Sequence, residues 1–142
     1  MIRKLQEPDI DQVADVWLDT NLKAHDFIPA QYWKDNFESV KKMLLQSEVY
    51  VYENETTHNI DGFLGLSANY IAGIFVRSNA QSRGIGKLLL DFAKAKKGHL
   101  TLSVYQKNAR AVKFYQRESF QIQHKNIDEN TGEKEYTMIW KQ

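Results

Sequence analysis

The chain has 142 residues, 42% hydrophobic and 12% aromatic, with 19 basic against 18 acidic side chains for a formal net charge of +1. Such a length and apolar content suit one folded domain, residues 1–142, and exclude a disordered chain; the balanced charge gives no electrostatic reason for nucleic acid as a partner. No cysteine is present, which excludes disulfides, thiolate metal sites and a cysteine nucleophile.

No apolar stretch has the length of a signal peptide or of the ~18 residues of a membrane span, so a soluble cytoplasmic protein with no membrane partner is expected. In chain order, residues 2–5 form a short candidate strand. Pro8 suits the first turn of a helix and Asp9 and Asp11 its positive end, and Ile10, Val13, Ala14 and Trp17 then share one helical face. A polar segment holds His25 and Asp26. Pro29 starts a second helix, striped by Trp33, Phe37, Val40 and Leu44. Residues 49–52 are β-branched and aromatic, hence a strand. The polar turn 54–59 leads to strands at 63–66 and Tyr70–Val76.

Next comes Gln81-Ser82-Arg83-Gly84-Ile85-Gly86-Lys87, followed by a helix striped by Ile85, Leu88, Leu89 and Phe92 with Gly98 as its C-terminal cap. A strand at 100–105, a helix over Ala109–Arg117 and strands at 120–127 and 136–140, joined by the Asn130-Thr131-Gly132 turn, complete the chain. The order is β-α-α-β-β-β-α-β-α-β-β, a mixed α/β (α+β) arrangement in which one sheet with helices on both faces buries every stripe.

Strand, glycine-rich turn and helix together present bare N–H groups and a positive helix end to an anion. Gly84 and Gly86 let a bulky diphosphate approach the backbone. A Walker A loop is excluded because Leu88 stands where the magnesium-binding hydroxyl belongs and the glycines are too close together. A Rossmann fingerprint is excluded because Leu89 stands at its third glycine. An ordinary turn with two glycines also fits the stretch taken alone.

The stretch resembles the Gln/Arg-x-x-Gly-x-Gly/Ala signature of the GCN5-related N-acetyltransferases, the GNAT superfamily, and the element order is that of the same fold across essentially the whole chain. The resemblance implies a central, mixed, mostly antiparallel sheet of about seven strands, and a loop that holds the pyrophosphate of acetyl-CoA. A second region carries the likeness independently. Asn108 after the fifth strand and Phe114-Tyr115 within the next helix match the family's asparagine and Phe-Tyr pair. By resemblance, Asn108 contacts the pantetheine arm or an intervening water, and Tyr115, near the sulfur, is the candidate general acid. Read from the residues alone, Asn108 is also a favoured N-cap and Tyr115 a core aromatic. Ser119-Phe120 stands where the family has Gly-Phe.

The implied enzyme is a small bacterial-type acyltransferase, a single N-acetyltransferase domain. It moves an acetyl group directly from acetyl-CoA to a primary amine, of a small molecule or of a protein lysine or N-terminus, within a ternary complex. The alternative is a non-catalytic acyl-CoA-binding or sensing module. In the family two adjacent parallel strands splay apart to admit the pantetheine; the resemblance makes these Tyr70–Val76 and residues 100–105, and Ile74, Phe75 and Val76 would pair with it as a sheet edge pairs with an added strand. Gln81, Ser82, Arg83, Gly84, Ile85, Gly86 and Lys87 would hold the pyrophosphate, with Arg83 and Lys87 adding charge. No glutamate lies between Gly62 and Val76, where some members keep their base. His25 is the remaining candidate, as base, substrate contact or ordering residue, since His25-Asp26-Phe27 resembles a His-x-Phe motif between the first two helices of a small bacterial subfamily. Phe27, Trp33, Tyr70 and Tyr105 are the candidate acceptor wall, with the core as the other place for these aromatics. His58, His99 and His124 have no metal-ligand spacing, so no catalytic metal is expected. A monomer or a homodimer is consistent with all of this.

Overall fold

The computed structural model describes residues 1–142. Its elements are β1 (Ile2–Lys4), α1 (Ile10–Ala24), α2 (Ala30–Asp35), α3 (Phe37–Gln46), β2 (Glu48–Glu53), β3 (Ile60–Ser67), β4 (Tyr70–Val76), α4 (Ile85–Lys96), β5 (His99–Tyr105), α5 (Ala109–Arg117), β6 (Gln121–Ile127) and β7 (Lys134–Lys141). The seven strands form one sheet in the order β1-β2-β3-β4-β5-β7-β6. Every neighbouring pair is antiparallel except β4 and β5.

Helices cover both faces of this sheet. On one face α4 and α5 pack through Leu89, Leu90, Ala93 and Tyr115 onto Leu64, Leu66, Leu100, Leu102 and Met138. On the other, Val13, Ala14 and Val16 of α1 and Leu44 of α3 meet Val49, Val51, Ile60 and Phe63. β3 lies between the two clusters, which is why seven of its eight residues are buried. The second cluster draws its buried strand residues from β2 and β3 and none from β5, β6 or β7.

Four local expectations differ from what is observed. The second helix is two helices, broken at Asn36, whose amide Nδ2 donates to the Tyr32 carbonyl at 2.7 Å; a short polar side chain competes here with the helical ladder. Residues Glu7–Asp9 form a separate 3-10 turn, because the Asp9 carboxylate accepts from the Gln6 N–H and from Arg3 of β1. Leu88 is exposed, and the buried face of α4 is Ile85, Leu89, Leu90 and Ala93. Gly98 does not cap α4 in the left-handed conformation; the helix passes through an extended Lys97 (φ −126°) directly into β5.

The end of α5 does need a left-handed residue, and it is Ser119, at φ +73°. The Phe120 N–H then reaches back to the Tyr115 carbonyl at 3.0 Å, the closing bond of a Schellman turn. A Cβ in that conformation costs on the order of 1 kcal/mol. Ser119→Gly is therefore expected to stabilise the fold by about 0.5–1 kcal/mol, read as a rise in Tm with no change in activity.

Candidate active site

The parallel pair at the centre of the sheet is incomplete. β4 and β5 are in register only at Tyr70–Thr101 and Ile71–Leu102. Beyond that point β4 stays paired to β3, but with a bulge: Leu66 faces Ile71 and Gly65 faces Gly73, leaving Ala72 as an extra residue. A bulge bends its strand and increases its twist, which carries residues 73–76 away from β5. Gly73 leaves room for the Phe75 ring, which folds over it. A Cβ at 73 would lie 2.2 Å from Phe75 Cε2, and the same ring stacks on Phe63 with centroids 4.8 Å apart. The gap opens into a cleft of about 940 Å³ lined by Ile74, Phe75 and Val76 on one side and the first turns of α5 on the other.

The loop between β4 and α4 closes one end of this cleft. Ser82 (φ +65°) and Gly84 (φ +82°) are both left-handed, so the chain curls around its own amides in the manner of an anion-binding nest. The Leu88 N–H donates to the Gly84 carbonyl, while the backbone N–H groups from Ser82 to Lys87 donate to no protein acceptor. Their only uncommitted ligand is an anion or water. Gln81 pins the loop: its Nε2 donates to the Val76 carbonyl at 2.9 Å, and its Oε1 accepts from Arg110 Nη1 at 2.7 Å. Arg110 Nη2 also reaches Ser82 Oγ at 3.3 Å.

The cations differ from the sequence-based expectation. Lys87 lines the cleft, but it is paired with Glu118 at 2.9 Å and Asp91 at 3.4 Å, and the Glu118 hydrogen bond raises its pKa. Arg83 is exposed in the loop and does not line the cleft. The guanidinium that meets the loop is Arg110, from α5, and it has no carboxylate partner. No periodicity marks Arg110 in the sequence; its one signal is its place in the first turn after the Asn108 cap.

Tyr115 lies against the cleft with 8% of its surface exposed, held between Phe114 and Phe120. Its hydroxyl has no hydrogen-bond partner in the protein. Burial first, and Tyr70 second, raise its pKa, so the group stays protonated. Asn108 is the N-cap of α5, its Oδ1 accepting from the Ala111 N–H at 3.2 Å. The capping and cleft-lining readings of Asn108 therefore hold together.

Three of the four expected acceptor-wall aromatics, Phe27, Trp33 and Tyr105, come together around His25, which ends α1. Its ring stacks on Trp33 (centroids 5.6 Å) and meets Tyr105 (4.9 Å) and Phe27 (5.7 Å) edge-on. Trp33 is buried, so it backs this cluster instead of presenting a surface. The Tyr105 hydroxyl donates to Asp128 Oδ2 at 2.6 Å, which ties the cluster to the β6–β7 turn. Tyr70 lies apart, at the closed end of the gap, and is 39% exposed. Both imidazole nitrogens of His25 are engaged: Nδ1 with Asn21 Oδ1 at 2.8 Å and Nε2 with Asn108 Nδ2 at 3.1 Å. Burial pushes its pKa down to about 4, so at neutral pH the ring is uncharged.

The profile of the family described as "Acetyltransferase (GNAT) domain" matches residues 46–122, a span from the end of α3 into β6 that includes the gap, the loop, Asn108 and Tyr115. The chain is 32% identical to the Escherichia coli K12 protein named "Peptidyl-lysine N-acetyltransferase YiaC", over 99% of this chain and 96% of that protein. It is 25% identical to "Peptidyl-lysine N-acetyltransferase YjaB" of the same organism, over 97% and 92%. Among solved structures, the solution structure of apo YjaB superposes with a TM-score of 0.88 at 22% identity, covering 99% and 96% of the two chains. The PaiA N-acetyltransferase of Thermoplasma acidophilum, solved with coenzyme A, superposes with a TM-score of 0.80 at 19% identity, covering 100% and 98%. With a profile match over more than half its length and a relative of this identity over nearly all of it, the chain belongs to the GNAT acetyltransferase family.

Proposed function

We propose that this protein is an acetyl-CoA-dependent N-acetyltransferase that passes the acetyl group directly to the primary amine of a peptidyl lysine. The observation that carries the reading is the run of unpartnered N–H groups from Ser82 to Lys87 at the end of a cleft whose other wall is a freed strand edge. A diphosphate satisfies the first, and an extended amide-bearing arm pairs with the second. The relatives' names support lysine as the acceptor.

Each step falls to a group already placed. The loop amides and Arg110 hold the pyrophosphate. A backbone N–H on the freed edge at residues 73–76 polarises the thioester carbonyl and stabilises the oxyanion that forms when the amine attacks. As the C–S bond breaks, the Tyr115 hydroxyl donates its proton to the sulfur, and the proton released by the acylated nitrogen returns to the tyrosine oxygen. The net change is one N–C bond for one S–C bond and one proton moved from nitrogen to sulfur. Phe27 and Tyr105, gathered on the His25 ring with Trp33 behind them, form the acceptor side, and Tyr70 stands apart from them at the closed end of the gap.

Arg110→Ala is expected to weaken acetyl-CoA binding about tenfold or more, since a charge-assisted hydrogen bond contributes about 1.5–3 kcal/mol; titration calorimetry reads it, and the loss shrinks at high salt. The reading itself is tested by incubating the protein with acetyl-CoA and a lysine peptide. Equimolar free thiol and acetyl-lysine, with no acetylated protein by mass spectrometry when the peptide is omitted, is the expected result. An acetylated protein competent to pass its acetyl group on would overturn direct transfer.

A further inference from the structure

We infer that His25 is a positioning residue whose neutral imidazole locks the Asn108 side chain, and with it the first turn of α5, across the cleft. This rests on the acetyltransferase reading above, and it assigns His25 a role other than general base.

The hydrogen-bond chain through His25 has ends of fixed polarity. The Ala111 N–H can only donate, so the Asn108 atom that it meets at 3.2 Å is Oδ1. The amide Nδ2 of Asn108 is therefore the atom facing His25 Nε2 at 3.1 Å. Nδ2 can only donate, so Nε2 carries the lone pair and the ring proton sits on Nδ1. Nδ1–H then donates to Asn21 Oδ1 at 2.8 Å, and Asn21 Nδ2 donates to the Trp17 carbonyl at 2.8 Å, which can only accept. Two backbone groups, one on α5 and one on α1, thus determine both amide orientations and the tautomer. Each of these four links runs from a donor to an acceptor.

A general base needs a free lone pair, and the only one on this ring is occupied by Asn108. Protonating Nε2 would set an N–H against the Asn108 NH₂, two donors face to face, and burial opposes the charge as well. The ring is also clamped by Trp33, Tyr105 and Phe27. The charged groups nearest this cluster are Lys107, over the Phe27 ring and paired with Glu133 at 3.0 Å, Asp128, which accepts from Tyr105, Lys23, paired with Asp19 at 2.8 Å, and Asp26, which is exposed and makes no bond to the ring. What remains unused is the second amide hydrogen of Asn108, on a residue that lines the cleft. His25 fixes the plane in which that hydrogen is offered to a bound acyl-CoA.

The test compares His25→Gln, His25→Ala, Asn108→Ala and the double alanine variant in the full-length chain. A glutamine can accept from Asn108 and donate to Asn21, but it cannot titrate. His25→Ala is expected to weaken acetyl-CoA binding about tenfold, the size of one lost hydrogen bond. His25→Gln is expected to restore binding and kcat to within about threefold of wild type, with the acid limb of the kcat profile unchanged. Adding His25→Ala to Asn108→Ala is expected to cost nothing further, because coupled residues are not additive. Stability supplies a second readout. Between pH 6.5, the ordinary histidine value, and about pH 4, the unfolded chain binds a proton that folded His25 declines. Wild-type stability therefore falls as the pH drops through that window, and His25→Gln removes this part of the slope.

A glutamine variant as impaired as the alanine variant, with the acid limb gone, would make His25 the base and overturn the inference; so would additive losses in the double variant. If the alanine variants do not fold, the glutamine variant decides alone. Failure of the wild-type protein to bind acetyl-CoA would instead refute the acetyltransferase reading, and that outcome is distinct from both.

Discussion

Tyr115→Phe is expected to lower kcat about 100-fold, the lower end of what a positioned proton donor contributes, while changing acetyl-CoA affinity by no more than about twofold. Its effect on stability is expected to be small. The Tyr115 hydroxyl is on a side chain only 8% exposed and has no partner in the protein. The hydroxyl oxygen opens on the cleft and has no protein hydrogen bond to lose, so phenylalanine should leave Tm unchanged. A core aromatic would show the reverse, with activity kept and stability lost. The phenylalanine ring still packs on Phe114 and Phe120, which keeps the wall of the cleft in place. Steady-state kinetics with saturating acetyl-CoA, alongside thermal unfolding, separates the two roles.

Gly86→Glu is expected to weaken acetyl-CoA binding at least about 100-fold without unfolding the protein. Gly86 lies in the first turn of α4, where an acidic side chain is favourable to the helix dipole. A Cβ there would meet Phe114 Cζ at 3.6 Å, an ordinary contact. The substitution therefore fits the fold, and its carboxylate takes the place of the anion at the free N–H groups. Calorimetry reports the lost binding, and an unchanged circular dichroism spectrum shows that the loss is local. A glutamate variant that still bound acetyl-CoA tightly would place the pyrophosphate elsewhere.

The parts of this site that were readable from sequence are those made by neighbours in the chain. The glycine loop, the Asn108 cap and the helix Ala109–Arg117 agree with expectation because turn chemistry, capping and helical periodicity act within a few residues. The gap between β4 and β5 was legible only through the family resemblance. Its physical cause, the Ala72 bulge, depends on which residue of β3 each residue of β4 faces. The break at Asn36 escaped because the apolar stripe continues across it, and only the side-chain bond to Tyr32 shows that the ladder is interrupted. Arg110 could not be singled out because its partners, Gln81 and Ser82, are 29 and 28 residues away. His25 is the clearest case. Its type and its place in a polar segment suggest a base, but its chemistry is set by Asn108, 83 residues on. Leu88 went wrong for a simpler reason: two overlapping stripes exist on α4, and the sheet accepts the one containing Leu90 and Ala93.

The most direct test of the central claim is calorimetric titration of the purified wild-type protein with acetyl-CoA, with ATP and NAD run in parallel. The account predicts saturable one-to-one binding of acetyl-CoA and no comparable binding of either nucleotide, because only acetyl-CoA offers a diphosphate for residues 82–87 together with an amide-bearing arm for the freed edge of β4. Folded protein that took up no acetyl-CoA, or that bound ATP or NAD equally well, would contradict it.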